Sequence, residues 1–204
     1  MIINLRKIFS IITILGLSIF LGFAFYFVFF QSGINSGLEQ VTANVIALYD
    51  QQQINSFDFP VRFKIPKIKV DVAVEYVGIM QNGAMGVPKG PINVAWFKDG
   101  VRPGNIGSAV IDGHSGWKNG IPSVFDNLYK LKKGDKIYVE DKNGTTITFI
   151  VRKIKIYDPK ANAADLFNST DGKSHLNLVT CAGTWNAKDK THSERLVVFA
   201  DREI

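Results

Sequence analysis

Residues 8–30 carry no charged side chain and end in the bulky run Phe23-Ala-Phe-Tyr-Phe-Val-Phe-Phe30. At about 1.5 Å rise per residue this stretch covers a hydrocarbon core of about 30 Å, so the pattern predicts one transmembrane helix. A cleaved signal peptide would have a shorter apolar core closed by a small-x-small site, and the bulk of this run favours an uncleaved anchor. Gln31-Ser-Gly-Ile-Asn-Ser-Gly37 interrupts it. Leu38, Val41, Val45, Leu48 and Tyr49 then share one helical face, predicting a short helix in a membrane-proximal linker that closes near Pro60.

From Val61 onward the pattern changes to short runs of Val, Ile, Phe and Thr separated by Gly, Pro, Asn and Asp. It predicts strands over 62–65, 70–77, 86–87, 108–111, 136–140, 145–157, 176–181 and 195–200. Asn143-Gly144 lies between two of these and tolerates the positive φ of a tight hairpin. A short helix is expected over 123–131, and one or two helical turns over 163–167 inside the long 158–174 connection. That connection directly precedes the strand of the only cysteine and is a candidate substrate wall. Many short strands without alternating long helices predict a mostly β, closed or nearly closed barrel. The expected organisation is a short N-terminus over 1–7, an anchor over 8–30, a linker over 31–60 and one β domain over 61–204.

Charge orients this arrangement. Arg6 and Lys7 precede the apolar span, and no Lys or Arg follows it before Arg62, so the positive-inside bias keeps the N-terminus cytoplasmic and the β domain outside. The formal net charge is +6. Arg6 and Lys7 are balanced by Glu39 and Asp50, so the β domain is itself basic. That suits an anionic cell-surface environment but equally an ordinary solvated basic face. No Lys/Arg block or nucleic-acid reader motif is present, which argues against nucleic acid as a partner. A single cysteine forms no internal disulfide; outside the cytoplasm it is either buried or reactive.

That cysteine, Cys181, ends the run His175-Leu-Asn-Leu-Val-Thr-Cys181. Alternation sets Cys181, Val179 and Asn177 on one face and Thr180, Leu178 and Leu176 on the other. The leucine-bearing face is the better core face, so the thiol is expected to point outward. Arg195, Val197 and Phe199 share a face of the last strand, which brings the guanidinium beside the thiol if the two strands pair. Of the three histidines, His175 stands six residues from the cysteine, about 20 Å at strand rise, too far for proton transfer. His192 lies in a polar loop and reads as solvent-exposed. His114, within Asp112-Gly-His-Ser-Gly-Trp117, is the best proton carrier, with Asp112 a weaker candidate to orient it. Trp117 and Trp185 flank the histidine and cysteine segments and are candidate groove walls. Thr180 reads first as structural. With ordinary values of about 8.5 for a thiol and about 6.5 for an imidazole, both groups are neutral near pH 7.

Leu178-Val-Thr-Cys181, Arg195 at short spacing after it, and Gly113-His114 before it together resemble the sortase family. The likeness runs from about Phe63 to Ala200 and takes in Ile65-Pro-Lys-Ile, Gly86-Val-Pro88 and Pro103-Gly-Asn-Ile-Gly107. It implies an eight-stranded β-barrel with short helices behind one transmembrane helix, similar to the smaller sortase classes. It also implies a cysteine transpeptidase at the cell membrane in which Cys181, His114 and Arg195 are catalytic, with Trp117, Thr180 and Trp185 as candidate substrate contacts. The implied reaction opens a Leu-Pro-x-Thr-Gly type sorting motif and passes the acyl group to an amine of the wall precursor or a pilin lysine. No metal or cofactor is required; some members bind calcium, and no calcium ligands are assigned here. Two other readings remain: a membrane-anchored cysteine peptidase or amidase with water as acceptor, and a non-enzymatic extracellular β-domain.

Overall fold

The computed structural model describes residues 25–27, 39–48, 57–188 and 191–203. The chain divides into two compact units, Met1–Gln52 and Gln53–Ile204. In the first, residues 25–27 and 39–48 are helical. Among the described residues no helix is long and apolar enough to cross a membrane. The anchor expected over 8–30, apart from 25–27, and most of the 31–60 linker lie outside the described residues.

The second unit is built on eight strands: β1 (Pro60–Ile65), β2 (Val70–Val77), β3 (Val94–Phe97), β4 (Gly107–Gly113), β5 (Lys136–Asp141), β6 (Thr146–Tyr157), β7 (Ser174–Asn186) and β8 (Thr191–Arg202). They close into a barrel in the order β1-β2-β3-β4-β7-β8-β6-β5, with β5 returning to β1. The pairs β2–β3 and β4–β7 are parallel and the rest antiparallel. Closure pairs every strand on both sides and leaves no long exposed edge. Inward residues Phe63, Ile111, Phe149, Leu176, Leu178 and Val198 belong to one continuous buried cluster.

The last two strands are longer than expected, β7 running past Cys181 to Asn186 and β8 beginning at Thr191, because the two continue to pair beyond the cysteine, and two further elements differ. The third strand is β3, not residues 86–87, which belong to an irregular stretch pinned by Gly86 N–H donating to the Gly78 carbonyl (2.9 Å). β3 is only four residues long and its first three are all buried, so it shows no alternation to detect. The helix expected over 123–131 is reduced to a 3-10 turn at Leu128–Lys130. The Asp126 carboxylate accepts from the Ser123 and Gly116 backbone N–H groups, both at 2.8 Å, and this side-chain bonding holds the segment in turns. The helical turn expected in the 158–174 connection is present as Ala164–Leu166.

That connection lies over the outer face of the barrel. Leu166 packs with Tyr157, Val197 and Phe199 in a second buried cluster. The Asn177 carboxamide donates to the Leu166 carbonyl (2.7 Å), and Phe167 meets Phe97 of β3 edge to face at 5.6 Å. At the opposite end of β7 from Cys181, His175 is buried with its ring nitrogens 2.8 Å from Asp201 and 2.9 Å from Asp171. His175 thus secures the entry of β7 and stands apart from the thiol.

Where β4 ends, Gly113 lets the chain turn beside packed aromatics. An added Cβ would stand 2.6 Å from Phe125 Cε2 and 2.9 Å from Val124 Cγ1. Phe125 is itself buried against Phe63, so the ring has little room to yield. Gly113→Ala is therefore expected to destabilise the domain by about 1–3 kcal/mol through overpacking, read as a lowered urea midpoint; an unchanged midpoint would show that the β4 exit is not tightly packed.

Candidate active site

Strand β7 brings the chemistry together because it is registered on both sides. In parallel with β4 it pairs Val179 with Asp112, and antiparallel to β8 it pairs Cys181 with Arg195. Leu176 and Leu178 enter the core, while Val179 belongs to the outer cluster. Alternation carries Cys181 outward with Val179, as expected, and the thiol is half-buried. Just beyond it the β7–β8 register shifts between Ala182 and Trp185, with Gly183 at φ 73°. This bulge bends the strand away from the core immediately after the cysteine.

Thr180, buried, donates its hydroxyl to the Gly113 carbonyl at 2.6 Å. That bond ties the residue before the cysteine to the residue before His114, so its first role is to hold the two segments together. His114 is held by the β2–β3 connection and by its own loop. Its Nε2 lies 2.9 Å from the Pro88 carbonyl, which only accepts, so Nε2 carries the proton and in the neutral ring Nδ1 is the free acceptor. Its carbonyl accepts from Phe125 N–H (2.9 Å), and the Trp117 ring packs at 4.7 Å. Asp112 does not orient His114: alternation sends it to the outer face, and Pro88 supplies the contact to the ring.

Arg195 bends back along its own hairpin. Nη1 donates to the His192 and Glu194 carbonyls at 3.2 and 2.9 Å, and Nη2 donates to Thr191 Oγ1 at 2.9 Å. A guanidinium has five N–H donors, so Nε–H and one Nη2–H are left for another acceptor.

A cavity of about 380 Å³ opens beside the thiol, bordered by Cys181, Thr180, Gly183, Gly116, Tyr129 and His192 among others. His192 corrects the sequence expectation. It is half-buried rather than fully in solvent, with Nδ1 3.3 Å from the Gly183 carbonyl and its ring edge-on to Trp185 at 5.3 Å. His192 lies in β8, paired with Trp185 beyond the register shift, and composition alone carries no sign of that pairing. Trp185 is 58% exposed and serves as the outer support of His192 rather than bordering this cavity.

Two ionisations in the site are displaced. Burial pushes the Cys181 thiol up, the Asp112 charge adds to this, and Arg195 opposes it. Desolvation pushes the Asp112 carboxyl up to about 7 against the pull of Arg195. Among the described residues no group of three or more His, Cys, Asp or Glu is arranged to hold a metal ion.

The sortase domain family matches residues 63–203. Among solved structures the chain is similar to sortase C-1 of Actinomyces oris, at 27% identity and TM-score 0.55 over 71% of this chain and 75% of that one. It is also similar to the complex of Streptococcus agalactiae sortase C1 with MTSET, at 26% identity and TM-score 0.54 over 71% and 69% of the respective chains. A lid mutant of sortase A from Corynebacterium diphtheriae shares the fold at 24% identity and TM-score 0.55, over 72% of this chain and 71% of that one. No curated protein matches the chain.

Because the thiol is raised by burial, it is protonated at neutral pH and its thiolate fraction grows as pH rises. Alkylation of Cys181 is expected to be slow at pH 6 and to accelerate steadily into the alkaline range. Asp112→Asn removes the negative charge that raises the thiol, so it should shift the profile toward lower pH. A stopped-flow rate that is fast and flat between pH 5 and 6 would contradict this electrostatic picture.

Proposed function

Since the chain belongs to the sortase family of cysteine transpeptidases, we propose that it opens a Leu-Pro-x-Thr-Gly type sorting motif through a thioester on Cys181 and transfers the acyl group to an amine. The observation that carries this reading is the in-register pairing of Cys181 with Arg195, one hydrogen bond away from the His114 loop through Thr180 and Gly113.

In the first step the Cys181 sulfur attacks the threonine carbonyl, and the C–N bond to glycine breaks as the thioester forms. The thiol proton passes to His114 Nδ1, the nitrogen free to carry it while Nε2 is engaged by Pro88, and from there to the leaving amine. The oxyanion of the tetrahedral intermediate is met by Nε–H and the remaining Nη2–H of Arg195, a planar donor pair already anchored by the hairpin carbonyls. In the second step an acceptor amine gives a proton to His114, attacks the thioester carbon and expels the thiolate. No metal is needed in either step. A raised thiol makes the reactive thiolate–imidazolium pair a minority form, so turnover is set partly by how often that pair is populated.

In this reading the acyl donor is a surface protein or pilin, and the acceptor is an amine of the wall precursor or a pilin lysine. Trp117 is the proposed groove contact, packed against His114. The segment over 8–30 anchors the enzyme in the membrane with the barrel outside, where these substrates are found.

Incubating the enzyme with a sorting-motif peptide, with and without an added amine, separates transfer from hydrolysis. The amine adduct is the expected product, and hydrolysis unaffected by amine would favour a peptidase. Cys181→Ala should abolish turnover while leaving the unfolding midpoint nearly unchanged. Arg195→Lys keeps the charge and loses the planar fork, and should lower kcat/KM by about 10²–10³. Wild-type rates in Arg195→Lys would remove the guanidinium from the mechanism.

A further inference from the structure

The cavity of about 380 Å³ beside the thiol is bordered by a side chain that the two steps do not use. His192 lies in β8, opposite Trp185 of β7 beyond the register shift. The Gly183 carbonyl lies 3.3 Å from its Nδ1 and only accepts, so Nδ1 carries the proton and in the neutral ring Nε2 is an acceptor. The Trp185 ring, edge-on at 5.3 Å, supports the imidazole in that pose. Among the described residues Nε2 has no hydrogen-bond partner. This edge of the ring is turned toward the loop that carries His114, because a Cβ added to Gly116 would stand 3.9 Å from both Nε2 and Cε1.

The cavity border differs in charge from the rest of the chain. It contains the Asp126 carboxylate and no Lys or Arg, in a protein of formal net charge +6. The Gly116 and Ser123 backbone N–H groups, both at 2.8 Å, pin Asp126, so its charge is fixed on this border. A fixed carboxylate without a competing cation draws an ammonium group. Ile156 and Leu196 give the same border an apolar part that suits an aliphatic stem.

The transfer step makes a demand that these groups meet. The acceptor arrives as an ammonium and reacts as the free amine after losing one proton to solvent. Its lone pair attacks the thioester carbon, and one of its two N–H protons passes to His114. The other N–H stays on the nitrogen and becomes the N–H of the product amide. Taken out of water without an acceptor, it is costly, and Nε2 of His192 is an unoccupied acceptor in the cavity at Cys181.

We propose that His192 binds the second substrate: its Nε2 accepts a hydrogen bond from the N–H that a primary amine keeps in the product, while Asp126 draws the ammonium form to the cavity. The proposal rests on the transpeptidase reading and adds to it the residues that position the acceptor.

The test separates the two half-reactions. Mass spectrometry of the thioester formed with a sorting-motif peptide gives the acylation rate, and its decay on adding an amine gives the aminolysis rate. His192→Phe keeps a ring against Trp185 and removes the acceptor, whereas His192→Gln returns an acceptor oxygen. The Phe variant is expected to lower the second-order rate constant for aminolysis by about 3- to 10-fold, the worth of one hydrogen bond, without a matching fall in acylation. The Gln variant should recover part of that loss. An N-methylated amine has a single N–H, which goes to His114, so the preference of the wild type for a primary amine should shrink in His192→Phe by a similar factor. The bulk of the methyl group is the same for both enzymes and cancels in that comparison. A lysine side-chain amine and an N-terminal glycine amine, run in parallel, distinguish the two sources of acceptor: a loss confined to one names the acceptor the site serves, and a loss with both marks a site for primary amines in general. Equal aminolysis in wild type and His192→Phe, an equal fall in acylation and aminolysis, or an unchanged preference for the primary amine would overturn the proposal while leaving the transpeptidase reading intact. A wild-type thioester that water alone discharges at every amine concentration would overturn that reading and the proposal with it.

Discussion

The double registration of β7 is the constraint on which the site depends. Its parallel pairing with β4 sets where the chain leaves toward His114, and its antiparallel pairing with β8 sets which residue faces Cys181. A one-residue slip on either side would turn every outward group of that strand inward. The buried leucines of β7 make such a slip expensive, and the Thr180 hydroxyl on the Gly113 carbonyl fixes the remaining freedom beside Cys181. His175, clamped between Asp171 and Asp201, secures the same strand at its other end.

Electrostatics in this frame work against an already ionised nucleophile. Burial and Asp112 raise the thiol, and the opposing charge of Arg195 does not reverse the balance. No helix N-terminus lies behind the cysteine to lower it, because the residue lies within strand β7 rather than opening a helix. A neutral, half-buried thiol reacts less readily with oxidants and electrophiles, at the cost of a smaller reactive fraction. Arg195 fits the same economy of parts: three of its N–H groups fix the fork to its own hairpin and two are left for another acceptor.

The loop system divides labour around the thiol. The 158–174 connection covers part of the outer face through Leu166, which packs with Tyr157, Val197 and Phe199, and through Phe167 on Phe97. On the other side, the bulge after Ala182 carries His192 toward Gly116 and shapes the cavity beside Cys181.

Much of this was legible in the chain. Period-two alternation in 176–181 and 195–200 placed the leucines inside, the thiol outside and Arg195 on the face that meets it, because a strand with one buried face has a single admissible orientation. Turn residues and short apolar runs indicated a barrel, and strand rise alone separated His175 from the thiol. The third strand escaped because its residues are buried on both faces and carry no alternation. The 123–131 helix failed because Asp126 spends its carboxylate on backbone N–H groups, a contact set by the tertiary position of the His114 loop. Partners more than about a dozen residues apart, such as Pro88 for His114, Gly113 for Thr180 and Arg195 for Asp112, were not recoverable from spacing, since barrel closure rather than local sequence chooses them. Local patterning therefore assigned the faces and the reactive residue types, while long-range closure of the barrel set their neighbours, their burial and hence their chemistry.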